Sequence, residues 1–172
     1  MKIIKHGATR WLSLEKALTR LLEQWIPLRK FFVEECKDHP DASSSDRKVR
    51  AKKKLNSSLT RLVCYFLQSV LPVFNQANVL LQSEKPMVHQ LKPTLMGLLR
   101  KLLIRFMKPS AMSSCSELDV KYALSYNILP DKDIMIGSSA LEYMSQSKGL
   151  SDDDKKSSIV MFANIISMLV TT

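Results

Sequence analysis

Glycine, cysteine and histidine are scarce in this chain of 172 residues, which holds 4 Gly, 3 Cys and 3 His. A Gly-rich phosphate-binding loop is absent, and neither Gly-x-Ser-x-Gly nor His-Glu-x-x-His occurs. The acidic residues cluster where loops and helix starts are expected, so solubility and helix dipoles account for them. We therefore expect no catalytic residues, no small-molecule substrate and no enzyme activity.

The few cysteines are far apart, at Cys36, Cys64 and Cys115, and no Cys-x-x-Cys pair occurs. The three histidines do not stand at metal-ligand spacings from them. This pattern favours buried thiols in a reducing compartment over a disulfide framework. We expect neither a metal site nor a cofactor.

Long apolar runs are also missing. The most apolar stretch, residues 159–170, is about half of the ~20 residues that a membrane span needs, and it contains Asn164. Residues 1–7 lack the apolar core of a signal peptide. We expect a buried terminal helix and no membrane partner.

The composition instead favours helices. Apolar residues make up 45% of a chain that is rich in Leu, Lys and Met and poor in Gly. We expect one all-α domain over residues 1–172, an irregular bundle of about five to six helices. A long-helix core would occupy 8–109, an irregular connection 110–133 and C-terminal helices 134–172.

An apolar stripe with spacings of three and four opens the chain. Its members are Trp11, Leu14, Leu18, Leu21, Trp25, Leu28 and Phe32. The spacing predicts a helix that starts within residues 9–13 and ends at Glu35, with these side chains in the core. Pro27 predicts a kink or break near Gln24, because it removes a backbone donor and clashes with the preceding turn.

Four further helical segments are expected. The first expected helix starts within residues 46–54, continues to residue 81 and is kinked at Pro72. The second carries the leucines of 91–103 and Phe106, and Pro109 ends it. A turn at 134–137 precedes a short helix, and Ser151 with three following aspartates opens the last one. Residues 120–124 fit a short helix or a strand.

The positive charge is concentrated in the middle of the chain. The net charge is +10, yet residues 46–108 alone carry thirteen Lys and Arg against two acids, a net +11. Residues 109–172 carry a net −3. This distribution indicates an anionic partner such as DNA, or a solvated polar face.

Three groups of residues could contact DNA. A tryptophan offers a ring on which a base can stack, and a neighbouring arginine can bind a phosphate. A run of basic residues can bind several phosphates or serve as a nuclear-localisation signal. The candidates are Arg10 and Trp11, then Arg47, Lys48, Arg50, Lys52, Lys53 and Lys54, then Lys101, Arg105 and Lys108 on one expected helix face. Each group also has a purely structural explanation. Trp11 would be the first core residue of the apolar stripe, and residues 47–54 would be a solvated helix start. Lys101, Arg105 and Lys108 would form a solvated helix face. Cations beside a helix N-terminus would disfavour that helix, which favours a functional reason for the run.

A series of motifs resembles the helical insertion domain of hAT-superfamily transposases and their domesticated animal relatives. The motifs are Thr-Arg-Trp at 9–11, the segments 67–78 and 80–86, Arg-Phe-Met-Lys-Pro at 105–109 and Ile-Met-Ile-Gly at 134–137. They follow the family's order over roughly residues 8–145.

The resemblance implies a role in DNA contact without catalysis. In that family an RNase H-like core binds divalent metal through two Asp and one Glu, and the insertion contributes a Trp that stabilises a flipped base. Only Arg10 and Trp11 carry over to this chain. The match would place both catalytic Asp before Met1 and the Glu beyond Thr172, which implies an isolated insertion domain.

Two functions follow as expectations. The first is a nuclear, non-catalytic helical fragment of a hAT-like transposase-derived protein that contacts DNA through its basic centre. The alternative is a helical scaffold that binds a helical protein partner or a second copy of itself, since the stripe from Trp11 to Phe32 could dock a helix.

Overall fold

The computed structural model describes residues 11–34, 45–82, 88–114, 127–147 and 149–171. Eight α-helices lie in these ranges: α1 Trp11–Glu23, α2 Trp25–Arg29, α3 Ser45–Leu55, α4 Ser58–Leu81, α5 Val88–Leu103, α6 Pro109–Ser114, α7 Ser138–Gln146 and α8 Asp152–Thr171. A π-helical turn, Lys30–Glu34, follows α2, and a 3-10 turn, Asp131–Asp133, precedes α7. The described segments contain no strand, only an isolated antiparallel bridge between Met107 and Ile128. The predicted all-α class is confirmed.

The break predicted near Gln24 is present and separates α1 from α2. Pro27 lies in the first turn of α2, where its missing N–H has no intrahelical acceptor to lose. Trp25 is only 3% exposed and packs with Leu18 and Leu22 against Leu55. This N-terminal cluster also contains Cys64 and Leu71, and burial raises the pKa of the Cys64 thiol. The packing of the stripe is confirmed from Leu14 to Phe32, with Leu18 and Trp25 buried and the other members partly buried.

A single helix from residues 46–54 to 81 was expected, and this prediction was wrong. The chain divides at Asn56 and Ser57, where α3 and α4 meet at 79°. Ser57 caps α4 by accepting a hydrogen bond from the Thr60 N–H at 3.2 Å. Asn and Ser side chains compete with helical hydrogen bonds, and the bend lets Leu55 enter the N-terminal cluster. Pro72, by contrast, stays inside a continuous α4.

The main core lies on the other side of α4. Phe66 of α4 and Phe162 of α8 are fully buried and stack with ring centroids 4.1 Å apart. The other buried residues come from α4, the end of α5 and the turn after it, α6, α7 with the segments before and after it, and α8: Leu62, Val70, Leu102, Leu103, Phe106, Met107, Ala111, Ile134, Ile136, Ala140, Met144, Leu150 and Ala163. Because α4 contributes to both clusters, it is the central helix of the described fold.

The chain after α5 departs from the expected continuous helix. Helix α5 ends at Leu103, and Pro109 opens α6 instead of stopping α5. Phe106 is buried in the intervening turn, where its carbonyl accepts from the Leu129 N–H at 2.8 Å. The Arg105 carbonyl accepts from the Met135 N–H at 2.8 Å. Residues 120–124, expected to form a short helix or a strand, lie outside the described residues.

The two C-terminal helices begin as predicted. Ser151 caps α8 by accepting from the Asp154 N–H at 3.1 Å, and the Asp154 carboxylate accepts from the Ser151 N–H and hydroxyl in return. These bonds, the side-chain one foremost, lower the pKa of Asp154. Gly137, at φ 99°, stands before α7 in a conformation that favours glycine.

No described helix is by itself long and apolar enough to cross a membrane. Residues 48–55 and 58–81 meet that criterion of length and composition only as a bent pair.

Candidate nucleic-acid interface

Helix α3 presents most of its cations to solvent. Arg50, Lys52, Lys53 and Lys54 are exposed and Lys48 is half-buried, while Leu55 anchors the helix in the N-terminal cluster. The side chain of Arg47 lies outside the described residues. Four exposed cations on one short helix give a concentrated positive surface, which can bind a polyanion.

The position of these lysines within the helix corrects the expectation that the basic run disfavours it. Lys52, Lys53 and Lys54 occupy the last turn of α3, where cations interact favourably with the helix dipole. Within α3 the helix dipole therefore favours these three lysines.

A shallow cleft of about 360 Å³ lies where α3 bends into α4. It is lined by Val49, Lys52, Lys53, Asn56 and Ser57. Val49 is 63% exposed, an apolar side chain within a cationic surface. The bend thus places two lysines beside the N-terminus of α4, whose dipole adds to the positive potential.

Arg29 also reaches this junction, although sequence reasoning missed it. Its Nη2 donates to Asn56 Oδ1 at 3.1 Å, and Nε lies 3.4 Å from the same oxygen. Arg29 and the neighbouring Lys30 are exposed. No local pattern indicated this placement, because Arg29 and Asn56 are 27 positions apart in the sequence. We call the exposed cations Arg29, Lys30, Arg50, Lys52, Lys53 and Lys54 the basic surface.

The Arg-Trp pair lies at the edge of what the structure describes. Arg10 is outside the described residues, and Trp11 is the first residue of α1 with its side chain undescribed. Its expected DNA contact and its alternative as a core residue both stay predictions.

The third group does not share one helix face, which corrects the sequence prediction. Lys101 is exposed near the end of α5 and donates from Nζ to Gln76 Oε1 at 3.1 Å. Arg105 and Lys108 lie beyond Leu103, where the helix has ended. Lys101, Arg105 and Lys108 could share one face only if α5 continued as far as Lys108.

Arg105 connects α4 to the segment that follows α5. Its Nη1 donates to Ser69 Oγ at 3.0 Å and its Nη2 to the Ser69 carbonyl at 2.8 Å. Burial lowers the pKa of this half-buried guanidinium. Both terminal nitrogens hold partners inside the protein, so we leave Arg105 out of the basic surface.

Comparison with known proteins adds no family to these observations. No protein-family model, no curated protein and no solved structure matches the chain.

Proposed function

We propose that this chain is a non-catalytic helical domain that contacts DNA through the basic surface on α3. The observation that carries the proposal is the run of exposed cations Arg50, Lys52, Lys53 and Lys54. The resemblance of the motif series to hAT-like transposase-derived proteins supports DNA as the polyanion and the nucleus as its location. The net +11 over residues 46–108 supports the same partner.

The binding would be dominated by phosphate contacts. Helix α3, with 11 residues, is about 16 Å long, and Arg50, Lys52, Lys53 and Lys54 are exposed on it. If its four exposed cations each meet a phosphate, the logarithm of the association constant falls by about 3.6 per tenfold rise in salt. Such contacts position a protein on DNA without reading its sequence.

The test replaces Lys52, Lys53 and Lys54 together with Gln. We expect weaker binding to a fluorescent duplex in anisotropy titrations, and a salt slope reduced by about 2.7, because three phosphate contacts are lost. In parallel, binding to DNA with unpaired segments is measured by the electrophoretic mobility of the protein–DNA complex.

The matched control changes the same number of charges elsewhere. Lys16 of α1, Lys92 of α5 and Lys132 of the 3-10 turn are exposed, and their triple Gln variant also lowers the net charge by three. An unchanged salt slope in the α3 variant, or an equal reduction in the control, would contradict the proposal.

The alternative function, a protein-interaction scaffold, rests on a different surface from the one expected. Leu18 and Trp25 of the first stripe are buried within the chain, so the stripe does not offer them to a partner. Val88 and Leu91 of α5, by contrast, are 82% and 44% exposed. Leu95, Val79 and Leu80 add further exposed apolar surface on α5 and at the end of α4. Sedimentation that stays monomeric over a wide concentration range would count against self-association.

A further inference from the structure

Helix α7 is held closely against α4 at both of its ends. A Cβ placed on Gly137, before α7, would lie 2.5 Å from Ser69 Cβ. A Cβ on Gly149, after α7, would lie 2.6 Å from Ser58 Oγ. Since Ser58 and Ser69 are both on α4, glycine permits this close approach at each end, and the surface between the two contacts is fixed by both helices.

A polar cleft of about 390 Å³ lies along this pair of helices. Its lining residues come from α4 and from α7 with its C-cap: Arg61, Tyr65, Ser139, Glu142, Tyr143, Gln146 and Ser147. None of these side chains is aliphatic. We call it the arginine cleft.

Three aromatic rings hold Arg61 in place. Its guanidinium carbon lies 5.1 Å from the ring centre of Tyr143, 5.6 Å from Tyr65 and 5.8 Å from Trp25. Cation–π attraction from several rings fixes the guanidinium without neutralising its charge. Within the described chain Arg61 has no carboxylate partner, and its buried Nε has no hydrogen-bond partner at all.

Apart from Glu142, the described lining consists of one guanidinium, four hydroxyls and one amide, each of which can donate a hydrogen bond. Arg61 Nη2 donates to the Tyr65 hydroxyl at 3.2 Å, so the proton of that hydroxyl is available for an acceptor elsewhere. The Tyr143 hydroxyl forms no hydrogen bond within the described residues, and two serine hydroxyls line the same space. Among the described lining residues Glu142 carries the one negative charge, and its Oε1 accepts from Gln146 Nε2 at 3.1 Å.

We propose that the arginine cleft binds the phosphate group of a ligand, through Arg61 and the hydroxyls of Tyr65 and Tyr143. A phosphate offers three terminal oxygens, which suits a cation surrounded by several donors better than the two oxygens of a carboxylate. The exposed Glu142 weakens this binding by charge repulsion. The site is separate from the basic surface and does not depend on DNA binding.

The experiment is an NMR titration of the ¹⁵N-labelled full chain at constant ionic strength, with three ligands in separate arms. Inorganic phosphate tests the free anion, glycerol phosphate tests a phosphate ester, and acetate tests a carboxylate. We expect saturable shifts at residues of α4 and α7 with either phosphate, and weaker binding of acetate.

Variants connect the binding to named groups. Arg61→Gln weakens phosphate binding about tenfold or more, because hydrogen bonds from a charged donor are lost. Tyr143→Phe keeps the ring below the guanidinium and weakens binding about threefold. Glu142→Gln tightens binding about two- to fivefold by removing the repulsion, an effect that a merely structural residue would not produce.

Two controls keep the outcome decisive. Lys132→Gln removes an exposed cation outside the cleft and should leave phosphate affinity unchanged, as should the triple lysine variant of α3. If Arg61→Gln fails to fold, Arg61→Lys replaces it, and loss of the planar donor set still weakens binding. Equal affinity in wild type, Tyr143→Phe and Glu142→Gln, or shifts confined to α3, would overturn the proposal.

Discussion

Gly137→Ala tests the close contact between α4 and the turn before α7. Gly137 has φ 99° and ψ 144°. Residues with a side chain rarely adopt this backbone conformation, which costs them about 1–3 kcal/mol of conformational free energy. The added Cβ would also lie 2.5 Å from Ser69 Cβ and 2.8 Å from its Oγ, so the backbone or Ser69 must shift.

A shift of Ser69 would disturb a small hydrogen-bond network. Its Oγ lies 2.7 Å from the Phe66 carbonyl and 3.2 Å from the Ile136 carbonyl, and it accepts from Arg105 Nη1 at 3.0 Å. The variant loses hydrogen bonding from the charged Arg105 and also pays the conformational cost at residue 137. Together these lower the free energy of unfolding by about 3 kcal/mol or more. For a domain of this size that lowers the Tm by about 6–12 °C.

Gly97→Ala is the matched control. Gly97 lies inside α5 and has no atom within 4 Å of the position that a Cβ would take. Because alanine favours helix, this variant should be stabilised by about 1 kcal/mol, the opposite sign. Both are measured by urea unfolding followed by circular dichroism. A loss below about 1 kcal/mol in Gly137→Ala would refute the reasoning from φ and the Ser69 contact.

Two further perturbations test the C-terminal helix. Ser151→Ala removes the cap of α8 and should cost about 1 kcal/mol in urea unfolding. It should also raise the pKa of Asp154 in an NMR titration, because it removes the hydroxyl bond that is the first cause of the lowered pKa, while the backbone N–H bond stays. The associated stability is present above the unfolded pKa near 4 and is lost as pH falls through the lower folded value. Phe162→Ala deletes a fully buried ring stacked on Phe66 and should cost about 3–5 kcal/mol, whereas Val160→Ala, at a site 45% exposed, should change stability by less than about 0.5 kcal/mol. Similar losses in these two variants would contradict the burial of Phe162, and an unmoved Asp154 pKa would contradict the cap.

Local patterns predicted the helices whose signals lie close together in sequence. The three-four spacing predicted the packing of the stripe from Leu14 to Phe32, and Pro27 predicted the break at Gln24. Ser151 with its three aspartates predicted the start of α8. Each depends on contacts within one or two helical turns, which a linear pattern records.

The same reasoning failed where distant contacts decide. The α3–α4 bend follows from a local cap, Ser57, but its direction serves the burial of Leu55 beside Trp25. Helix α5 ends at Leu103 because the next residues pair their backbone with residues 127–135, which no helical period could reveal.

The candidate sites divide in the same way. The exposed lysines of α3 were predicted from the basic run itself, whereas Arg29 joins them only through its contact with Asn56. Nothing in the sequence singled out Arg61, since its three rings come from positions 25, 65 and 143.

The sequence by itself determined the helical class, the central positive charge and the apolar faces, because composition and period are properties of single segments. Only the tertiary structure decided which cations face solvent and which hold the fold together. Lys52 and Arg105 are equivalent as charges in the sequence, yet one lies on an open helix and the other donates to Ser69. The physical reason is that burial and hydrogen bonding depend on distances between helices, which no linear spacing encodes.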